Sequence, residues 1–293
     1  QVPKVSLPGV APHSFADGDD VFLSVNKLTS VKTQMPFDYY SLPFCKPKEL
    51  IVEGDNVGEA FAGDRIENSV YQLEMKKTKD CEVVCTVELK KDEHTAFVRA
   101  IDDEYRVHWL LDNLPVGIRS KGPTNEDIFE RGFPVGFHTG KKGVATNKHY
   151  LNNHVRIIVQ YNEDDVEDSN LIGTSTSTAT SSSTTTTTTT TSTETTSKII
   201  GFRAEPLSIK HSEKTATAGS TLKSCGPFDT LEESSFQSVD NIGDTIVFTY
   251  DVHWELTDIP WTNRWDSYMT ADASNEKVHW FSITNSIMVV LFL

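Results

Sequence analysis

The chain has 293 residues, 37% of them hydrophobic and 10% aromatic, which is enough apolar surface for one large core or two smaller ones and excludes disorder throughout. Its 42 acidic side chains against 27 Lys plus Arg give a formal charge of −15, which argues against nucleic acid or an anionic membrane surface as the main partner, since both reward clustered cations. The first residue is Gln1 rather than Met, so an upstream segment is expected to have been removed.

Taken in chain order, the first strand pattern is the alternation of Val21, Leu23 and Val25. Gly58 to Ala62, stopped by Gly63, reads as one helical turn. Alternation resumes at Tyr71, Leu73 and Met75, and again in "CEVVCTVEL", where Cys81, Val83, Cys85, Val87 and Leu89 fall on one apolar face. Asp92 to Ile101 reads as a short helix capped by Asp92, with Phe97, Ala100 and Ile101 turned inward. Strands follow at Tyr105, Val107, Trp109 and Leu111, and at Val155, Ile157, Val159 and Tyr161.

From Thr174 to Ser197, 22 of 24 residues are Ser or Thr. Such a tract buries nothing to offset its ordering entropy, so it reads as a disordered, solvated insertion between two strands of one sheet, with O-glycosylation as one use. A strand-like stretch follows at Ile199 to Ile209. The clearest strand is "TIVFTYDVHWEL", in which Ile246, Phe248, Tyr250, Val252, Trp254 and Leu256 are expected in the core and Thr249, Asp251, His253 and Glu255 in water. The sum is a mainly β fold, an antiparallel β-sandwich with one or two short helices.

Chemistry has few candidates. Asp102, Asp103 and Glu104 are adjacent carboxylates, but neighbours on a strand point to opposite faces, so a helix-to-strand corner is the better reading than a glycosidase or calcium pair. The acidic run from Asn162 to Asp168 lacks the Gly and terminal Glu of a calcium loop. His138, His149 and His154 share one stretch without a metal-binding spacing, so no metal or cofactor is implied. No N-glycosylation sequon occurs.

The four cysteines suit two disulfides in an oxidising compartment. On one strand Cys81 and Cys85 lie ~13 Å apart, too far to bond each other, so they reach outward to Cys45 and Cys225 in either pairing, or all four stay as buried thiols. "DIPWTNRWDSYM" then places Trp261, Arg264 and Trp265 shortly before Trp280, Phe281 and an apolar run to Leu293, a candidate membrane-proximal interface. Phe281 to Leu293 is thirteen residues, short of the ~20 that a membrane helix needs, so by itself it reads as a core element or as the start of a span.

Long ordered stretches carry a resemblance: "SLPGVAP", "VNKLTSVKTQMPFDYYSLPFCKP", "GEAFAGDRIENSVYQLEM", "DEYRVHWLLDNLP", "GFPVGF", "YLNNHVRIIVQY", "IIGFRAEPLSIKH", "FTYDVHWELTDIPWTNRWDSYM" and "VHWFSITNSIMVVLFL". Together they resemble the N-terminal lumenal domain of the nonaspanins, the transmembrane-nine superfamily. The Ser/Thr tract is an insertion against that pattern, and the stretches around Glu88 to Ala100 and Gly117 to Glu130 match it weakly. The resemblance implies a signal peptide before Gln1, a lumenal domain over residues 1–280, and a first membrane helix beginning at residues 281–293. It further implies a Golgi and endosomal location, no enzyme activity or cofactor, and partners that are client membrane proteins, the protein's own transmembrane region and the bilayer after Trp280, not nucleic acid. The function expected is sorting of other membrane proteins; the alternative is a carbohydrate-active or calcium-dependent lectin-like sandwich.

Overall fold

The computed structural model describes residues 12–33, 35–52, 65–121, 127–140, 148–163, 196–213, 216–226, 233–266, 268 and 286–291. In chain order the elements are β1 (Asp20–Thr29), β2 (Phe37–Asp38), β3 (Glu67–Glu74), β4 (Lys79–Glu88), helix α1 (Lys91–Asp102), β5 (Arg106–Leu111) and β6 (Leu114–Pro115). There follow β7 (Gly117–Lys121), β8 (Asp127–Arg131), β9 (Phe133–Pro134), β10 (Gly136–Thr139), β11 (Lys148–Leu151), β12 (His154–Glu163), β13 (Ser197–Leu207) and β14 (Thr245–Leu256). In the first sheet β1 pairs with β2 and β3 along one edge and with β5 along the other, and the short β6 and β9 pair with β5. The second sheet runs β4-β14-β12-β13-β7-β8. β10 and β11 form a separate hairpin.

The two large sheets face each other across one core. Alternating residues that the sequence assigned inward are inside: Val21, Leu23, Val25, Val107, Trp109 and Leu111 from the first sheet, Val155, Ile157, Val159, Phe248 and Val252 from the second. Tyr71 joins the layers, its ring 4.7 Å from Trp109 and 5.3 Å from Tyr250. Each such fully buried large side chain contributes ~1.5–3 kcal/mol.

The expected sandwich is present, but its second sheet is mixed rather than purely antiparallel. β12 and β14 are parallel from His154↔Thr249 to Tyr161↔Leu256, and β13 meets β7 in parallel. The hairpin that carries the Ser/Thr tract is formed as expected, with β12 antiparallel to β13 up to Glu163↔Ser197. Ser197, assigned to that tract, is instead buried and exchanges main-chain hydrogen bonds with Phe15. The tract's residues up to 195 lie outside the described residues, as does the expected helical turn at Gly58–Ala62.

Two local expectations change. α1 does bury Phe97, Ala100 and Ile101, but it starts at Lys91, one residue before the expected Asp92, and its N-cap is Lys90, two residues before the expected cap, with Glu93 accepting the Lys90 backbone N–H at 2.9 Å. Asp92 sits in the first turn, where its charge suits the helix N-terminus. On β4, Cys81 and Cys85 do not share a face. Val83 pairs with Thr249 and Cys85 with Phe248, so two residues of β4 advance against one of β14, a bulge at Val84. Because side chains alternate with period 2, the extra residue sends Cys85, Val87 and Leu89 to the main core and Cys81 and Val83 to the opposite side.

That opposite side is covered. Residues 216–226 run along the edge of β4, with Val83 N–H donating to Ser220 O, Gly219 N–H to Val83 O and Leu222 N–H to Cys81 O. Leu222 seals a small second cluster with Cys81, Val83 and Val247. This is why Thr249 and Asp251 of β14, expected in water, are buried at 1% and 5% exposure.

Candidate functional site

β5 returns into β6 through a two-residue turn, Asp112-Asn113, with φ of 47° and 63°. Two consecutive left-handed residues are the geometry of a tight hairpin turn, which short polar side chains such as Asp and Asn tolerate. The turn presents the Asp112 carboxylate at one edge of the sandwich, where the chain after β14 meets it.

After Leu256 the chain stays attached. Thr257 N–H donates to Tyr161 O at 2.8 Å, a 3-10 turn forms at Trp261–Asn263, and Tyr268 donates its hydroxyl to Pro115 O at 2.9 Å. Between these points Arg264 turns inward, its side chain 1% exposed, with Nη1 2.6 Å from Asp112 Oδ2 and 3.4 Å from Ile199 O. The guanidinium lies 4.4 Å from the Trp261 ring centroid and 5.8 Å from that of Trp265. Burial pushes the Asp112 carboxyl above the ordinary carboxylate range, and the Arg264 hydrogen bond and charge pull it back. A buried cation is costly alone; here one carboxylate, one carbonyl and two indole rings share it, a set that suits the planar guanidinium better than an ammonium. The strap borders an open hollow of about 610 Å³ lined by Gln160, Ile200, Asp258, Ile259 and Pro260, beside the exposed Leu256 and Ile259.

Of the expected membrane-proximal residues, Trp261, Arg264 and Trp265 are therefore brought together, while Trp280 and Phe281 lie outside the described residues. Farther on, residues 286–291 are helical and expose Ile287, Met288, Val289, Val290 and Leu291. Among the described residues no helix is long and apolar enough to cross a membrane.

The cysteines form Cys45–Cys85 and Cys81–Cys225, so neither free thiols nor a Cys81–Cys85 bond occurs. The adjacent carboxylates diverge: Asp102 turns to His149 Nε2 at 3.2 Å, Asp103 to Arg99 Nε at 3.6 Å and Glu104 to Lys32 Nζ at 2.8 Å. They assemble no acid/base pair.

Sequence reasoning missed a buried polar chain under residues 208–213 and 216–226. Ser224 Oγ is 2.7 Å from His211 Nδ1, His211 Nε2 is 3.2 Å from Thr249 Oγ1, Thr249 Oγ1 is 2.8 Å from His154 Nδ1, and His154 Nε2 is 3.3 Å from Asp251 Oδ2. Burial and the neighbouring His154 push His211 down to about 4. Burial alone would raise Asp251, but His154, the Cys81 N–H and Arg156 hold it below the ordinary range. With Thr249 at 1% and His154 at 0% exposure, the chain fastens the cover to the sheet rather than meeting a substrate. His154, Cys225 and Asp251 offer donor atoms within 4.8 Å of one another, yet the Cys225 sulfur is tied in a disulfide and supplies no thiolate.

Comparison with known proteins matches residues 36–293 to the family model described as Endomembrane protein 70. The chain is 37% identical to Transmembrane 9 superfamily member 10 of Arabidopsis thaliana, covering 98% of this chain and 41% of that protein. It is 36% identical to human Transmembrane 9 superfamily member 4, over 98% of this chain and 42% of that protein, and 36% identical to Putative phagocytic receptor 1a of Dictyostelium discoideum, over 98% of this chain and 41% of that protein. The chain thus spans about two fifths of the length of the relatives it matches. No solved structure matches. The match over nearly the whole chain, on the sandwich and on the Trp/Arg strap alike, shows that the chain belongs to the transmembrane 9 superfamily, the nonaspanins, of endomembrane proteins.

Proposed function

We propose that this chain is the lumenal ectodomain of a multi-pass protein of Golgi and endosomal membranes that sorts other membrane proteins, and that it works by binding and scaffolding rather than by catalysis. The observation that carries the reading is the strap: Arg264, buried against Asp112 and flanked by Trp261 and Trp265, locks the segment after β14 onto the sandwich, ahead of the apolar residues 286–291 in the chain. A segment held this way sets the edge of the sandwich from which the chain continues toward the apolar stretch. Leu256, Ile259 and Trp261 then form the side nearest the bilayer, where amphipathic aromatic rings are favoured. The phagocytic receptor name of the Dictyostelium relative agrees with a role at membranes that handle cargo.

The experiment is depletion of the full-length protein followed by quantitative surface biotinylation. The proposal expects a defined set of membrane proteins to lose surface delivery, restored by the wild-type protein and not by one carrying Arg264→Leu. Unchanged surface composition on depletion would overturn it.

A further inference from the structure

His149 is held between two carboxylates that come from separate parts of the chain. Its Nδ1 lies 2.8 Å from Asp240 Oδ1 and its Nε2 3.2 Å from Asp102 Oδ1, with the imidazole 11% exposed. Asp102 closes α1, His149 is on β11, and Asp240 follows the 3-10 turn at Glu233–Ser235. Asp240 is itself fixed, accepting from the His149 backbone N–H and the Ser238 hydroxyl.

A carboxylate only accepts hydrogen bonds. A neutral imidazole has one N–H and one lone pair, so it can satisfy one of these partners and must turn a lone pair toward the other; only the imidazolium donates to both. Asp102 adds a second reason: a negative charge at the C-terminal end of α1 opposes the helix dipole, and a cation beside it removes that penalty. We infer that His149 is a proton-operated latch, fastening the hairpin β10–β11 and residues 237–240 to the end of α1 when doubly protonated and loosening them when neutral.

The moving parts are coupled by main-chain hydrogen bonds. Leu151 N–H donates to Gln237 O and Val239 N–H to His149 O, so residues 237–239 travel with β11. β10 meets α1 where a Cβ on Gly136 would lie 2.9 Å from Ile101 Cδ1. The titratable and charged groups facing His149 are Asp102 from α1, Asp240 from the following segment and His138 from β10, whose ring is 6.4 Å away; Lys148 is its neighbour on β11. Imidazole is the side chain that gains and loses its proton between ~pH 5 and 8, the range that separates neutral from acidified compartments. The latch stands on this geometry alone and does not require the sorting role proposed above.

Two measurements on the 293-residue chain test it. Long-range 1H–15N spectra, with the His149 signals assigned through His149→Gln, are expected to show both ring nitrogens protonated wherever residues 148–151 and 237–240 are protected, and one deprotonated where that protection is lost. Amide hydrogen exchange, corrected for the intrinsic pH dependence, is expected to be slower at the lower pH by on the order of ten-fold over residues 148–151 and 237–240. Asp102→Asn lets a neutral imidazole satisfy both partners, so the pH dependence of that protection disappears. A His149 that is neutral while these segments are protected, protection that does not change with pH, or an unchanged pH dependence in Asp102→Asn would each overturn the inference.

Discussion

Arg264→Leu is the substitution that the strap makes most informative. It leaves the Asp112 carboxylate, 9% exposed, without its cation at 2.6 Å. Removing one partner of a buried ion pair costs about 3–5 kcal/mol, because the remaining charge must be buried uncompensated or take up a proton. With a denaturant slope of about 2–3 kcal/mol/M in urea, that loss shifts the midpoint down by roughly 1–2 M. Adding Asp112→Asn removes the stranded charge while Asn tolerates the left-handed φ of 47° at that position, so the double variant should recover at least half of the loss. The assay is urea unfolding followed by circular dichroism for the sheets and by tryptophan fluorescence, to which Trp261 and Trp265 report from beside the guanidinium. If the strap peels off first, fluorescence will lead circular dichroism. A midpoint within about 0.3 M of wild type for Arg264→Leu, or strict additivity in the double variant, would refute the claim that this pair holds the segment in place.

Three further outcomes follow from the same structure. The Cys81–Cys225 bond closes a loop with a sequence separation of 144, for which chain entropy alone predicts up to ~5 kcal/mol, so Cys81→Ser with Cys225→Ser should lower stability more than Cys45→Ser with Cys85→Ser, whose separation is 40 and ceiling ~4 kcal/mol; the reverse order in matched denaturation curves would contradict it. His211 is held neutral down to about 4 in the folded chain, whereas an unfolded histidine protonates near 6.5, so its contribution is complete above about pH 6.5 and is lost as the pH falls toward 4, by ~3 kcal/mol in the limit. Global stability measured by urea between those limits should therefore fall with acidification, and His211→Gln should flatten that slope; an unchanged slope counts against the buried network. Gly136→Ala places a Cβ 2.2 Å from Tyr150 O, so it should cost about 1–3 kcal/mol and speed amide exchange in β10 and β11, while an unchanged melting curve would show that the hairpin is not seated as described.

What the sequence disclosed and what it withheld divide along contact range. Period-2 alternation placed the strands around Val107, Ile157 and Phe248, and the i, i+3, i+4 spacing of Phe97, Ala100 and Ile101 placed the helix, because those patterns are written in residues a few positions apart. Alternation failed at β14, where Thr249 and Asp251 looked solvated, because the cover over them comes from residues 208–213 and 216–226 and announces itself only by Leu222 and Cys225. Cys81 and Cys85 were rightly kept from bonding each other, yet placing them on one face assumed a regular strand, and a bulge at Val84 leaves no mark in composition. Parallel pairing of β12 with β14 is equally silent, since a strand buried on both faces reads alike in either direction. At the strap, Trp261, Arg264 and Trp265 were legible as a cluster, but the partner Asp112 lies 152 residues earlier. The signal for it was present as the Asp-Asn turn between two alternating runs, which specified the turn and not what would dock there.

In the proposed topology the folded sandwich stands on the lumenal side of a membrane to which its own protein is anchored. The measurement that tests it most directly combines alkaline carbonate extraction with protease protection on intact vesicles carrying the full-length protein, probed with an antibody raised against residues 65–121. The account predicts that the protein stays in the carbonate pellet and that the epitope is cleaved only after detergent opens the vesicles. Release into the carbonate supernatant, or cleavage of the epitope in sealed vesicles, would contradict it.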